Sequence, residues 1–285
     1  MRRRSSFLAG GLVLCLVGCA KNQPNPFLQQ TLTVLPRPDD TLIFTSNGYG
    51  DTAGMPREVF SVGPAGDPLR LTTCNNAART CDHVEAVPSR DGQKVVVRRL
   101  SQDTNGDGLL TEADGASLVL IDLARSVEGE LVPGSRSVSG VDWSPVEDLL
   151  IYTAATAQAG EELFRIDPNG ANDSAVTSTA DLKERSPRFD PNGFTAAFEG
   201  IDSDGQSRIY VLSSPASTPI TSGGPGSEPL AGTPYRVGAD ADPAFSPDGS
   251  QIAFRRLVAT GNGGFGVWDL HVVATDGSND RVRRS

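Results

Sequence analysis

The sequence predicts an all-β chain, a β-propeller of four-stranded antiparallel blades, and three observations carry that expectation. One strand pattern recurs five times between residues 31 and 285, turn residues separate its strands, and a helical apolar period is nearly absent. With 31 Gly and 20 Pro in 285 residues, the composition suits many short strands joined by tight turns.

Each copy has an apolar residue closing a first strand and another nine positions later in a second. The pairs are Leu35/Phe44, Val87/Val96, Trp143/Tyr152, Phe189/Phe198 and Phe245/Phe254. Between them stand Arg90-Asp91-Gly92, Pro191-Asn192-Gly193 and Pro247-Asp248-Gly249, the chemistry of hairpin turns. Third strands are expected within 58–66, 117–125, 162–170, 208–216 and 269–277. Short fourth strands follow at Leu69–Thr72, Glu130–Val132, Ala175–Thr177, Pro219–Thr221 and Arg281–Arg283. The unit repeats every 46 to 56 residues. One such sheet cannot bury both faces alone, whereas radial stacking buries each face against a neighbour and leaves only short edges. Five blades are counted; six stay open.

The copies Asp242–Arg256 (DPAFSPDGSQIAFRR) and Ser186–Gly200 (SPRFDPNGFTAAFEG), with third strands ending in Asp-Gly, resemble the WD40-like propeller repeats of the TolB family. The resemblance covers about residues 31–285 and speaks to fold, because such repeats serve many roles. The family's namesake has an additional N-terminal α/β domain and usually six blades. Here a polar segment leads straight into the first strand, which argues against a direct part in the Tol system.

The N-terminus reads as an export signal. Arg2, Arg3 and Arg4 precede an apolar run from Phe7 to Gly18, too short to span a bilayer, which takes about 20 apolar residues. The run ends Leu16-Val17-Gly18-Cys19, which resembles the lipobox of bacterial lipoproteins, where cleavage before the cysteine precedes its acylation. The resemblance assigns residues 1–18 to a signal, Cys19 to lipidation and 19–30 to a tether. Ala20, in place of the Asp that retains such proteins at the inner membrane, favours the outer membrane. An ordinary secretory signal is the alternative, and it would also export the chain.

Export fits the remaining cysteines. Once Cys15 leaves with the signal and Cys19 carries lipid, Cys74 and Cys81 form an even pair in an oxidising compartment, expected to close a small disulfide loop. The formal net charge is −10 and becomes −13 once Arg2, Arg3 and Arg4 are removed. Such acidity disfavours nucleic acid and bare anionic membrane surfaces, leaving membrane attachment to the lipid.

The stretch from Gln102 to Gly115, QDTNGDGLLTEADG, follows the spacing of a calcium loop. Asp103, Asn105, Asp107, Leu109 (through its carbonyl), Thr111 and Asp114 take the six ligand positions, and Gly108 allows the sharp turn. The set resembles an EF-hand, or a dockerin loop in having Asp rather than Glu last. Yet Lys94–Leu100 and Ala116–Leu123 on either side read as strands, so the loop is expected as an insertion between strands two and three of the second blade. A solvated Asx-rich turn is the alternative, and that plainer reading is preferred for Asp202/Asp204.

Catalytic signatures are few. His271 shares its third-strand slot with Phe60, Val119, Phe164 and Tyr210, which points to packing; His83 has no triad partner nearby in sequence. No nucleophile elbow, phosphate loop or metalloprotease motif is present. Arg98-Arg99 and Arg255-Arg256 occupy matching places in blades two and five and could form a basic patch for an acidic ligand, or pair with neighbouring acids. The expected function is a lipid-anchored, calcium-binding envelope propeller, not an enzyme, that binds another envelope protein or a cell-surface glycan. Its rivals are a glycoside-processing enzyme with carboxylates in the central channel and a purely structural envelope protein.

Overall fold

The computed structural model describes residues 41–46, 56–64, 66, 68–74, 81–157, 160–179, 181–212, 217–226, 228–261 and 266–283. The signal segment, Cys19, the tether and Leu35 lie outside the described residues. Strands β1 (Leu42–Ser46), β2 (Glu58–Val62) and β3 (Pro68–Arg70) form the described part of blade one. Blade two comprises β4 (Asp82–Pro88), β5 (Lys94–Leu100), β6 (Ser117–Asp122) and β7 (Val127–Val132). Blade three comprises β8 (Gly140–Trp143), β9 (Leu150–Ala155), β10 (Glu161–Ile166) and β11 (Ser174–Ala175). Blade four has β12 (Lys183–Phe189), β13 (Ala196–Ile201), β14 (Ser207–Val211) and β15 (Thr218–Pro219). Blade five has β16 (Asp240–Phe245), β17 (Gln251–Thr260), β18 (Gly266–Ala274) and β19 (Arg281–Val282). Within each blade, successive strands pair antiparallel. A parallel bridge, Glu161↔Lys183, joins blades three and four into one eight-stranded sheet.

Side chains cap the hairpins. Ser89 Oγ donates to Asp91 Oδ1 at 2.7 Å, and Ser246 Oγ to Asp248 Oδ1 at 2.6 Å. Gly92, Gly193 and Gly249 take φ of 67°, 71° and 72°, a left-handed conformation that favours glycine. Several donors converge on Asp248, holding its carboxyl down at about 2, the Ser246 hydroxyl being the main cause.

Two apolar slots stack across the second and third strands. Phe44 lies opposite Phe60, Tyr152 opposite Phe164, Phe198 opposite Tyr210 and Phe254 opposite His271, with ring centroids 5.3 to 5.6 Å apart. In blade two the slot is Val97 opposite Val119, so the pair Val87/Val96 is one residue out of step. Ser89 is the counterpart of Ser246, each N–H closing its turn on the carbonyl five residues later, which makes Pro88 and Val97 the counterparts of Phe245 and Phe254. Val95, Val96 and Val97 are all fully buried; with apolar residues on both faces, alternation carries no register signal.

The cores lie between blades, as stacking requires. Val59, Leu71, Val95, Val97 and Val119 fill the junction of blades one and two. Val96, Leu118, Trp143 and Tyr152 fill the next, Ile151, Leu163 and Phe198 the third, and Ala197, Ile209, Ile252 and Phe254 the fourth. Each fully buried aliphatic or aromatic side chain contributes roughly 1.5–3 kcal/mol by leaving water. Among the described residues no helix is long and apolar enough to cross a membrane.

Candidate functional site

The inserted loop runs from the end of β5 to the start of β6, with one 3-10 turn at Glu112–Asp114 and no flanking helices. Its carboxylates organise its backbone. Asp103 accepts from Gly106 N and Gly108 N, both at 2.7 Å. Asn105 Oδ1 accepts from Asp107 N at 2.9 Å, and Asp107 Oδ1 from Leu109 N at 2.8 Å. Asp114, only 3% exposed, accepts from Thr104 N at 2.9 Å on one oxygen and Thr111 N at 2.8 Å on the other. Thr111 caps the 3-10 turn through Ala113 N. These N–H bonds, led by that from Thr111, hold the Asp114 carboxyl below its usual range.

The donor set suits a hard cation: carboxylate, amide, hydroxyl and carbonyl oxygens only, on a loop curled by Gly106 and Gly108 at φ of 75° and 80°. Each oxygen that accepts one hydrogen bond retains a lone pair, so gathering Asp103, Asn105 and Asp107 around an ion need not unmake the loop's own bonds, whereas Asp114 would have to release some of its longer ones, from Asn105 N at 3.3 Å, Thr104 Oγ1 at 3.4 Å and Thr111 Oγ1 at 3.3 Å. Leu109 stands 48% exposed on the outer turn. The loop's far end is fastened to the propeller. A Cβ on Gly115 would meet Gly134 O and Ser137 Oγ at 2.7 Å, and Val138 N donates to Ala116 O at 2.9 Å.

The four arginines do not make a free basic patch; each meets a carboxylate. Arg98, buried, donates to Glu112 Oε2 at 2.5 Å, to Val138 O at 2.9 Å and to Glu85 Oε2 at 3.5 Å. It thereby ties the inserted loop to β4 and to blade three. Arg255 pairs with Asp242 and lies 4.0 Å over the Trp268 ring. Arg256 forks Asp240 through Nε at 2.6 Å and Nη2 at 2.9 Å, and its Nη1 reaches Asp280 at 3.0 Å. Arg99 gives Nη1 to Glu128 Oε1 at 2.8 Å, while its buried Nε has no partner. The acids lie 13 to 29 residues away in sequence; only the sheet register brings them in.

Cys74 and Cys81 form a disulfide with Cα atoms 5.3 Å apart. His83 Nδ1 lies 3.5 Å from Cys74 Sγ and 3.1 Å from Arg57 O. These three residues are the metal-type cluster among the described residues, but sulfurs bonded to each other offer no thiolates, so the pair acts as a covalent pin. Burial keeps His83 below its usual range. His271 packs on Phe254 as its slot predicts, and its Nδ1 also meets Asp280 at 2.8 Å. Asp202 accepts from Asp204 N and Gln206 N in a plain turn.

Sequence reasoning missed the buried acids at the junctions. Glu58 takes N–H of Cys74 at 2.5 Å and the hydroxyl of Thr72 at 2.8 Å. In blade three, Glu162 takes N–H of Thr179 at 2.8 Å. Glu184 of blade four, fully buried, accepts from Leu163 N at 2.9 Å, Thr179 Oγ1 at 3.1 Å and the Thr177 hydroxyl. Burial, with Glu162 adding to it, pushes Glu184 up to about 7. The available signal was an acid two residues before the stacked aromatic, in Glu58-Val59-Phe60 and Glu162-Leu163-Phe164, matched by the fourth-strand threonines Thr72 and Thr177.

Carboxylates on the first and second strands are likewise engaged. Glu85 meets Arg188 at 3.1 Å, Asp142 takes the Phe189 N–H at 2.7 Å, and fully buried Glu199 takes Asp242 N and the Tyr235 hydroxyl, both at 2.7 Å. Burial raises Asp142 and Glu199 above the usual range. Cavities among the described residues include one at a junction and one within a blade. One of about 650 Å³, between blades one and two, includes Leu71, Ile121, Arg99 and Glu128. The other, of about 540 Å³ beside blade three, includes Glu162, Thr177 and Thr179.

No protein-family profile matches the chain, and no curated protein is significantly similar to it. Solved structures do match. TolB from Acinetobacter baumannii aligns with a TM-score of 0.60 at 14% identity, over 85% of this chain and 52% of that one. This chain thus spans about half the length of that protein. A chain of the nidogen/laminin complex aligns at 0.56 and 10% identity, over 85% and 77%. An oligogalacturonate lyase in complex with manganese aligns at 0.50 and 11%, over 90% and 76%. At such identities the likeness establishes the β-propeller fold alone.

Proposed function

We propose that the protein is a lipid-anchored β-propeller of the cell envelope, placed at the outer membrane through Cys19, that uses calcium to set a binding edge for another envelope protein or a cell-surface glycan. The observation that carries the reading is the inserted loop: an all-oxygen donor set fastened to the blade by Arg98 and Gly115, on a fold whose structural relatives include TolB and a partner in the nidogen/laminin complex. In this reading Asp103, Asn105, Asp107, the Leu109 carbonyl, Thr111 and Asp114 hold the ion. The ion gathers their negative charge and stiffens residues 101–116 against β5 and β6. Such extracellular modules bind at about 10⁻⁴ to 10⁻³ M.

Melting with and without calcium tests the metal. At 10 mM calcium, linkage at those affinities gives about 1.4–2.7 kcal/mol of stabilisation; no shift, or an equal shift in Asp103→Asn/Asp107→Asn, removes the ion from the reading. Cys19→Ser should move the protein from membranes to the soluble fraction. Capture from solubilised envelopes in calcium should recover a discrete partner, and an empty capture counts against the binding role.

A second reading, a glycoside-processing enzyme, is favoured by the lyase likeness and by one feature of the junctions. Glu184, protonated to about 7, shares Thr179 with Glu162, which borders a cavity. Turnover of a polyuronide that is lost in Glu162→Gln would establish it; no turnover would remove it.

A further inference from the structure

Blades two and five carry the same arginine pair in the same register, yet one arginine in blade two lacks its partner. Arg256 sits opposite Asp240, and Arg99 sits opposite His83. Asp240 receives the Nε and Nη2 edge of Arg256 as a fork. The same fork recurs where Arg185 meets Glu161, at 2.7 and 2.6 Å, and where Arg57 meets Asp82, at 3.1 and 2.7 Å. In blade two the acid's place is taken by an imidazole whose Nδ1 faces Arg57 O, so the Arg99 Nε–H is left buried without an acceptor. A guanidinium matches a carboxylate bidentately and loses much by making one bond.

Arg99 borders the cleft of about 650 Å³ between blades one and two, within the size range of ligand sites. Leu71, Ile121, Leu123 and Val127 give it aliphatic walls, and among the described residues no Phe, Tyr or Trp borders it. Two acids share the lining: Asp122 is held by Arg125 at 2.9 Å, and Glu128, 55% exposed, holds Arg99 by a single bond. An exposed pair of that kind is weak and easily exchanged. We infer that this cleft binds the C-terminal carboxylate of a partner polypeptide with aliphatic last residues, the carboxylate supplying to Arg99 the fork that Asp240 supplies to Arg256. The inference rests on the binding-module reading and names its partner class as protein. Aliphatic walls without a stacking Phe, Tyr or Trp favour a peptide over a sugar acid.

The probe is acetyl-Ala-Leu-Val with a free carboxylate, titrated into the full-length protein beside the same peptide as its C-terminal amide. The acid should bind at least tenfold more tightly than the amide and shift the Arg99 Nε–H resonance. Arg99→Gln should erase the difference. Glu128→Gln, an exposed change that keeps the fold, should tighten the acid about threefold by removing its competitor. His83→Asp, which restores the internal fork, should weaken it tenfold. Equal binding of acid and amide, no binding of either, an unchanged affinity in Glu128→Gln, or binding of glucuronate in place of the peptide overturns the inference. Envelope capture that persists while the acid does not bind overturns the cleft alone; acid binding without any capture counts against the wider reading alone.

Discussion

The junction between blades one and two and the junction between blades three and four are built on one plan and closed by different chemistry. In both, a third-strand acid (Glu58, Glu162) takes the N–H two residues beyond a fourth-strand threonine (Thr72, Thr177), whose hydroxyl accepts from the third strand at 2.9 Å. In both, the next blade's first strand inserts one titratable side chain five residues before the strand ends: His83 before Pro88 and Glu184 before Phe189. At the first junction the residue two beyond that threonine is Cys74, and a disulfide closes the seam. At the other it is Thr179, whose hydroxyl links Glu162 to Glu184 across the seam. The difference teaches that a repeat scaffold fixes where polar groups are buried, while the residue chosen there decides which variable, redox state or pH, the seam responds to.

The two seams respond to pH in opposite senses, and the larger effect belongs to Glu184. Its folded value of about 7 lies above the ordinary value near 4.5. The native state therefore holds the proton more tightly, and stability falls as pH rises between those values, by up to about 3 kcal/mol in total. Glu184→Gln should flatten that limb of a denaturation series run from pH 4 to 8; an unchanged slope breaks the contrast. His83 has its folded value below 6.5, so its contribution is complete above pH 6.5 and is lost as pH falls below it. His83→Gln should flatten only the acid limb.

Removing the covalent pin comes next in size. Cys74→Ser/Cys81→Ser should cost about 2 kcal/mol, the low end for a short loop, with the Glu184 limb intact; a changed limb would mean that the seams are not independent. The smallest effects separate the two threonines. In Thr72→Val the Val59 N–H loses its acceptor, at about 1–2 kcal/mol, whereas in Thr177→Val the Leu163 N–H keeps Glu184 at 2.9 Å and the loss should be about half as large. Equal losses in urea denaturation would show that Glu184 does not share that bond.

Strand periodicity made most of the fold legible. The slot holding Phe60, Phe164, Tyr210 and His271 could be read because each repeat places one bulky residue at one distance from a turn. The loop at 102–115 could be placed because strands flank it. Blade two slipped by one residue where Val95, Val96 and Val97 are all buried and alternation fails. The arginine pairs were seen at their correct register, but their acids were not: Glu112, Glu128, Asp240 and Asp280 reach them across turns or neighbouring strands, and linear spacing does not encode that distance. The empty half of Arg99 became visible only once His83 and Asp240 were seen to face equivalent arginines.

The parallel bridge between Glu161 and Lys183 has a dynamic consequence. It carries backbone hydrogen bonding from blade three into blade four, so those strands form one cooperative unit whose amides should exchange with solvent together. Between blades one and two the strands belong to separate sheets, joined by side chains, one disulfide and a single backbone bond from His83 N to Arg57 O at 3.1 Å. The amides on either side of that seam should therefore exchange less as one unit than those of blades three and four, and a long residence time for anything bound beside Arg99 would be governed by the opening rate of the seam.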